Sequence, residues 1–552
     1  MIRNTIIKAL EQATATKGIK LDVPPHMEHG DYATSLALTL AKRQSKNPIE
    51  LAKEIVEKIK ADKKVVSMFE RIEVASPGFI NFYLSSEYLT DLINEILMLQ
   101  ESFGASKQGS GKTVVIDYSS PNIAKRFSIG HLRSTVIGQC LYNLYTALGY
   151  RTIGDNHLGD WGTQFGVLIY MVEANDIDSK SLTISDWEAL YVQFHDELDR
   201  SPDLKDKARN AFARLEQGDP GAKQIWQDAV DTSISEYKKI YQKLGVKIDY
   251  AYGESFYEDK MPEAIAEAKR KGLAVESEGA LVVEFGKKYK LPSNVLVKSN
   301  GTTTYLARDL AVMYFRKKEW RPDLQIFEVG SDQKLYFQQV FALAEMMKLF
   351  KLSELKHVAH GMVRLPEGKM STRRGKTIKL EDVLDGAIEK AKALGAKDLK
   401  TADAVGIGAV KYFDLKHAPE SDIVFNWDEV LDLKGNSGPY LQYTYARIQS
   451  ILSKSDKAGE VADNQKANID EKSLMRILSH YPETICDAAN FYSPNLLCNY
   501  LHKLAQEFNA YYAKHKVVGS SEEEFRVMLT RAIGIVLGNG LNLLGIETLE
   551  RM

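Results

Sequence analysis

Cysteine is nearly missing from this chain. Cys140, Cys486 and Cys498 are all it has in 552 residues, with no C-x-x-C and no paired cluster. That excludes a disulfide framework and a cysteine zinc site, and the expected location is a reducing compartment, the cytoplasm. Long apolar runs are missing too. The opening "MIRNTIIKALEQATATKG" is an amphipathic pattern broken at Glu11, not the apolar core of a signal peptide, and no stretch approaches membrane-spanning length. No membrane role is expected. Nor is there an excess of either charge: the formal net charge is -2, so a nucleic-acid partner would have to be met by local patches. No His/Cys/Asp/Glu spacing suggests zinc, and there are no internal repeats.

What is present is an ordinary globular composition, 44% hydrophobic and 26% charged, at a length that predicts three or four domains. Residues 1 to 110 alternate helical pieces with "RIEVASPGFINFYLS" (71–85), a strand–turn–strand pattern around Pro77-Gly78, and close on the Gly/Ser/Lys linker "ESFGASKQGSGK" (101–112). An α/β pattern follows over 111–385. It holds a charged, mostly helical insertion at about 175–290 that ends in the strand pair "LAVESEGALVVEF" (273–285). From 386 to 552 the chain reads as helical, apart from the polar stretch "SKSDKAGEVADNQKANIDEK" (453–472), an expected exposed loop. The predicted class is α/β: a Rossmann-like parallel-sheet domain between an α+β N-terminal domain and an all-α C-terminal domain.

The stretch "SSPNIAKRFSIGHLRST" (119–135) lies between the buried-strand run "TVVIDY" (113–118) and the helical spacing of "LRSTVIGQCLYNLYTALGY" (132–150), after which "RTIGDNH" (151–157) starts another strand. "SIGH" therefore falls at the carboxyl end of a strand and the amino end of a helix. Open parallel sheets bind ligands there, and helix N–H groups favour phosphate. Gly130 would let backbone approach a nucleotide closely. His131 would bond phosphate or ribose oxygens, the alternative being a cap or packing residue. Far downstream, "RLPEGKMSTRRGKTIKL" (364–380) is a loop with Lys369, Arg373, Arg374 and Lys376 after a Pro366–Gly368 turn. By itself such a run is a solvated surface loop. Together with a helix-entry histidine it suits a reaction that releases pyrophosphate, where fixed donors stabilise gathering negative charge.

"SIGHLRST" resembles the HIGH signature of class I aminoacyl-tRNA synthetases, and "KMSTR" their KMSKS loop. Within that class the chain resembles the arginyl-tRNA synthetases. The likeness rests on the 119–135 stretch, "NHLGDWGTQFG" (156–166), "GNSGPYLQYTYARI" (435–448), "LLGIETLERM" (543–552) and the N-terminal "HGDYATSLAL" (29–38), so it runs end to end. Two positions depart from the signatures: Ser128 replaces the first histidine and Thr372 the second lysine. The resemblance implies that Lys125, just ahead of the signature, supplies the missing cation; otherwise it would be a surface lysine.

The resemblance also implies which residues bind what. Lys125, His131 and Lys369 would act on the phosphates, with Ser128, Gly130, His360, Met362 and Ser371 completing the ATP site. His360 is equally readable as structural, and Met362 would offer backbone groups near the adenine. Asn122, Glu254, Tyr305, Asp309 and Gln333 would hold arginine. A guanidinium wants carboxylates and an aromatic or amide wall, and Tyr305 and Asp309 lie four apart, on one face if that piece is helical. An ordinary helix with a core tyrosine fits those two residues as well. Phe79 and Asn81 would meet the D-loop of the tRNA, by stacking on and reading an unstacked base, unless Phe79 belongs to a hairpin core. The C-terminal helices would read the anticodon. The expected activity is ATP-dependent ligation of L-arginine to tRNA(Arg), with Mg²⁺ carried in by ATP, no zinc, and a monomeric enzyme. Two other readings stay open: a non-catalytic tRNA-binding relative, and a synthetase for lysine.

Overall fold

The computed structural model describes residues 1–198, 200–364, 379–396, 398–455 and 467–552. At its centre four parallel strands lie in the order Leu355–His360, Leu324–Gly330, Thr113–Asp117, Arg151–Asp155. Val114, Val115 and Ile116 are fully buried, as an apolar β-branched run in a parallel sheet covered on both faces should be. The chain leaves Thr113–Asp117, forms the helix Ile129–Ala147 and returns on one side as Arg151–Asp155. The later strand Leu324–Gly330 pairs on the other side. The crevice beyond the carboxyl end of Thr113–Asp117 is thus a topological switch point. The "SIGH" segment sits in it.

Local chemistry explains the boundaries. Ser128 is the extended N-cap of Ile129–Ala147, so the helix starts ahead of the periodicity at 132–150, and Gly149 at φ 83° turns the chain out after it. The insertion is helical over Ile184–Leu198, Leu204–Glu216 and Pro220–Leu244. The last of these starts on Asp219, whose carboxylate accepts the Ala222 N–H at 2.9 Å, carries Pro220 in its first turn and stops at left-handed Gly245. Its strand pair forms as expected, Ala274–Ser277 antiparallel to Ala280–Val283, with Asn294–Val297 as a third strand.

The N-terminal segment is a three-stranded antiparallel sheet, Tyr32–Thr34, Phe79–Leu84, Phe69–Ala75, under helices Ile2–Thr14 and Pro48–Lys60. The helix Ser86–Leu99 leads from it onto the C-terminal bundle, packing against Ile469–Ser479 and Glu523–Leu543. In the bundle, Leu399–Leu415 and Gly438–Leu452 pack together, and Asn495–Lys514 against Glu523–Leu543. Part of the expected loop 453–472 is helix. Asn468 and Glu471 form a reciprocal capping box, so the next helix starts at Ile469. Residues 456–466 lie outside the described residues. Among the described residues no helix is long and apolar enough to cross a membrane.

Candidate active site

The signature loop is held in a conformation that side chains rarely adopt. Ser119, Ser120 and Ala124 all have positive φ, at 74°, 44° and 60°. Gly159 lets it come close: a Cβ there would collide with Asn122 Oδ1. The Ser128 N–H donates to His131 Nδ1 at 3.1 Å, and the Ser128 hydroxyl lies at the same distance. With Nδ1 accepting, the ring hydrogen sits on Nε2, which is left to donate. Burial, with Lys125 and His360 adding to it, pushes the His131 pKa down to about 4. The ring is therefore a neutral hydrogen-bond donor at pH 7. Lys125 Nζ lies 5.0 Å from the centre of the Tyr191 ring, on the insertion helix. A Cβ at Gly130 would stand in ordinary contact with Ser128 Oγ, at 3.4 Å.

The arginine two residues past His131 has a different task. Arg133 is fully buried and ion-paired with Asp414 at 3.3 Å; it also donates to the carbonyls of Gly361 at 3.2 Å and Ser421 at 2.5 Å. It ties the signature helix to the end of the helix Leu399–Leu415. His360 is drawn into the same buried polar layer, its Nδ1 2.9 Å from the carboxylate of Glu328. Burial lowers the His360 pKa but Glu328 outweighs it, and the net shift is upward. Met362 follows the strand Leu355–His360; its N–H donates to Asp422 at 2.8 Å and its carbonyl accepts from Ile423 at 2.9 Å, which leaves the second lone pair of that carbonyl for another donor.

A cleft of about 650 Å³ brings Asn122, Glu254 and Tyr305 together with Gln164 and Tyr191. Glu254 is seated by its neighbours: its N–H donates to Leu158 at 3.0 Å, while Ser255 donates twice to the buried Asp160. Burial pushes its carboxyl up to about 7, against the pull of Arg308 at 3.4 Å. Arg308 is shared with Glu258 at 2.8 Å. The piece 302–314 is helical from Tyr305 on, in the helix Tyr305–Glu319, so Tyr305 and Asp309 share a face. Tyr305 is 68% exposed and is no core tyrosine. Asp309 accepts a hydrogen bond from the Tyr336 hydroxyl, and burial raises its carboxyl to about 6 despite that bond. Gln333 is exposed in the 3₁₀ turn Ser331–Gln333 that follows the strand Leu324–Gly330.

One buried cluster that positions this face left no local signal in the sequence. Arg316, further along the same helix, is fully buried and donates to Asp117 at 2.6 Å and Asp155 at 2.6 Å. Those aspartates end two adjacent parallel strands. The pair fixes the helix carrying Tyr305 and Asp309 against the sheet. Its members lie 161 and 199 residues apart, beyond any periodicity.

At the other end of the chain, Phe79 is 38% exposed at the start of its strand, whereas Asn81 on the same strand face is 5% exposed. Asn81 is thus buried in this structure beside the exposed Phe79. Lys369, Ser371 and Thr372 lie outside the described residues. Among the described residues, no group of three or more His, Cys, Asp or Glu is placed to hold a metal ion.

Comparison with known proteins agrees with this geometry. Residues 92–427 match the family model of the class I (R) tRNA synthetase catalytic domain, 441–552 that of the DALR anticodon binding domain, and 1–84 that of the arginyl tRNA synthetase N-terminal domain. Arginine--tRNA ligase of Halothermothrix orenii is 40% identical over 547 residues, covering 96% of this chain and 95% of that protein. That of Clostridium kluyveri is 39% identical over 549 residues, covering 96% of each. In fold, the chain superposes on Thermus thermophilus arginyl-tRNA synthetase with a TM-score of 0.86 at 24% identity, covering both chains fully. The Plasmodium falciparum arginyl-tRNA synthetase gives 0.84 at 25% identity, covering 100% of this chain and 99% of that one. With three family models in sequence along it and curated relatives 40% identical over nearly its full length, the chain belongs to the arginine--tRNA ligase family of class I aminoacyl-tRNA synthetases.

Proposed function

We propose that this cleft activates L-arginine with ATP and passes it to tRNA(Arg), and that the residues gathered in it divide the work. An arginine carboxylate oxygen attacks the α-phosphorus of ATP, the bond to pyrophosphate breaks, and arginyl-adenylate remains. The terminal ribose hydroxyl of the tRNA then attacks the arginyl carbonyl, and AMP leaves. Nothing in this sequence needs a covalent nucleophile on the protein; positioning and charge stabilisation supply the catalysis. Glu254 and Asp309 take the guanidinium against the Tyr305 wall, Asn122 holds the α-amino and carboxylate end, and Gln333 closes the far side. His131 donates from Nε2 and Lys125 supplies a cation, while Gly130 leaves the nucleotide room beside Ser128. Lys369 and Ser371 act from their loop, and Mg²⁺ arrives on the ATP phosphates. His360 shapes the ATP side through Glu328. Phe79 offers a stacking face to the tRNA, and the C-terminal helices take the anticodon. The enzyme works as a monomer in the cytoplasm.

The observation that carries this reading is the meeting of Asn122, Glu254 and Tyr305 on one cleft, from segments 132 and 51 residues apart, with Asp309 on the same helix face as Tyr305. Two carboxylates and an aromatic wall describe a guanidinium better than an ammonium, which offers three donors and no plane. The test is aminoacylation of total tRNA with each radiolabelled amino acid in turn. Charging with arginine alone is expected. Charging with lysine would mean the pocket is misread, and no charging at all would make the chain a binding relative.

A further inference from the structure

We propose that one face of the insertion helix Pro220–Leu244 is a positioning ladder for catalysis, with Ser233, Tyr237 and Tyr241 as its rungs. The three residues lie at i, i+4 and i+8, so they project from a single face, and all three are buried. Every rung ends on the signature loop. The Ala124 N–H donates to Ser233 Oγ at 2.9 Å. The Tyr237 hydroxyl reaches the carbonyls of Asn122 at 2.6 Å and Lys125 at 2.7 Å. The Tyr241 hydroxyl is 2.8 Å from Ser119 Oγ and accepts from the Asn156 amide at 3.0 Å. The loop needs such support, because Ser119, Ser120 and Ala124 have positive φ, a conformation that persists only where surrounding contacts over-determine it. Tyr237 bonds the backbone of the two residues read as substrate contacts, Asn122 and Lys125, and so fixes their spacing. The rings also pack edge-on against Phe127, at 5.7 Å from Tyr237 and 5.8 Å from Tyr241. Removing only the hydroxyls therefore leaves that packing in place.

This rests on the reading of Asn122 and Lys125 above, and two separate measurements on Tyr237→Phe, with Tyr241→Phe as the second variant, keep the two distinct. Hydrogen exchange of residues 119–125 needs no activity: faster exchange there, with the strand Thr113–Asp117 unchanged, is expected. The second measurement is single-turnover formation of arginyl-adenylate in the presence of tRNA, read as amplitude and rate constant. Positioning predicts a full amplitude and a rate constant lowered about tenfold to a hundredfold, with KM for arginine and ATP little changed, since a buried hydrogen bond lost from a strained turn is worth roughly one to two factors of ten. A reduced amplitude with an unchanged rate constant would mean a merely structural role and would overturn the proposal, as would unchanged exchange of 119–125 in both variants. Wild-type enzyme without any arginine-dependent turnover would overturn the proposed catalytic role of the ladder together with the functional reading; exchange of 119–125 would then show whether the hydrogen bonds alone hold the loop.

Discussion

On the reading proposed above, the arginine side and the phosphate side of the site would meet their ligands with opposite chemistry. On the arginine side, burial pushes Glu254 up to about 7 and Asp309 up to about 6, so both carboxylates are held near the edge of ionisation until a cation arrives. On the phosphate side, burial pushes His131 down to about 4, so a neutral ring donates a hydrogen bond and the charge is left to lysine. Desolvation drives both shifts; it penalises charge of either sign. If the assignment holds, binding energy on the arginine side depends on completing an ion pair, whereas the histidine contributes a fixed dipole. Substitutions on the two sides should therefore fail in different kinetic parameters.

The largest effect should come from Asp309→Asn. It keeps the shape and a partner for Tyr336 but removes the charge that faces the guanidinium. A buried pair left half-made costs about 2–5 kcal/mol, which is roughly 30- to several-thousand-fold in kcat/KM for arginine. The loss should appear chiefly as a raised KM for arginine, with that for ATP nearly constant. An equal loss for both substrates would erase the contrast between the two sides.

Lys125→Ala should come next and should behave in the opposite way. If its charge acts on the departing pyrophosphate, adenylate formation slows by about tenfold to a hundredfold while arginine binding holds, the signature of a contact made mainly in the transition state. Unchanged single-turnover activation would leave the replacement of the loop's second lysine by Thr372 without compensation.

How much of this was legible beforehand follows from the range of each interaction. The strand–loop–helix–strand unit at 113–155, the pair 273–285 and the shared face of Tyr305 and Asp309 rest on neighbours in sequence, and periodicity and caps reported them. The early start of the helix at Ile469 is written in "NIDE" as a capping box, within a stretch whose polarity reads as loop. The bond from the Met362 N–H to Asp422, 60 residues away, is announced by nothing near either residue. The burial of Asn81, two residues past exposed Phe79, is equally unannounced, because alternation along a strand does not say what covers its face. Arg133 with Asp414, Arg316 with Asp117 and Asp155, and the rungs of the insertion helix join residues separated by one hundred to nearly three hundred positions. Such buried polar pairs leave no period in the chain, yet they set where the legible residues stand.

Acidity offers a graded test of the same contrast. Below about pH 7 Glu254 takes up a proton, and below about 6 so does Asp309, and a neutral carboxyl no longer attracts a guanidinium. KM for arginine should therefore rise as pH falls from 8 to 6, approaching about tenfold per unit once the pH lies below the higher of the two values. His131 stays neutral across that whole range, because its pKa lies lower still. The KM for ATP should not follow that of arginine. Parallel curves for the two substrates would place the titrating group outside the arginine pocket.

Tyr305→Phe should have the smallest effect of the four, and its size relative to Asp309→Asn is what gives it force. Tyr305 opens the helix that carries Asp309, lies 68% exposed in the cleft and has the Arg308 guanidinium 5.8 Å from its ring centre. As a wall it acts through the ring face, which phenylalanine keeps, so only one solvent-accessible hydroxyl is lost. A hydrogen bond of that kind contributes about 0.5–1.5 kcal/mol, or roughly two- to tenfold in kcat/KM for arginine. Tyr305→Ala removes the ring as well and should cost more than Tyr305→Phe, adding a loss of stacking of about 0.5–1 kcal/mol. The expected order in arginine-dependent charging is thus Asp309→Asn, then Tyr305→Ala, then Tyr305→Phe. Should Tyr305→Phe prove the most damaging, the hydroxyl rather than the carboxylate would be the main guanidinium contact, and the charge contrast between the two sides would not be what selects arginine.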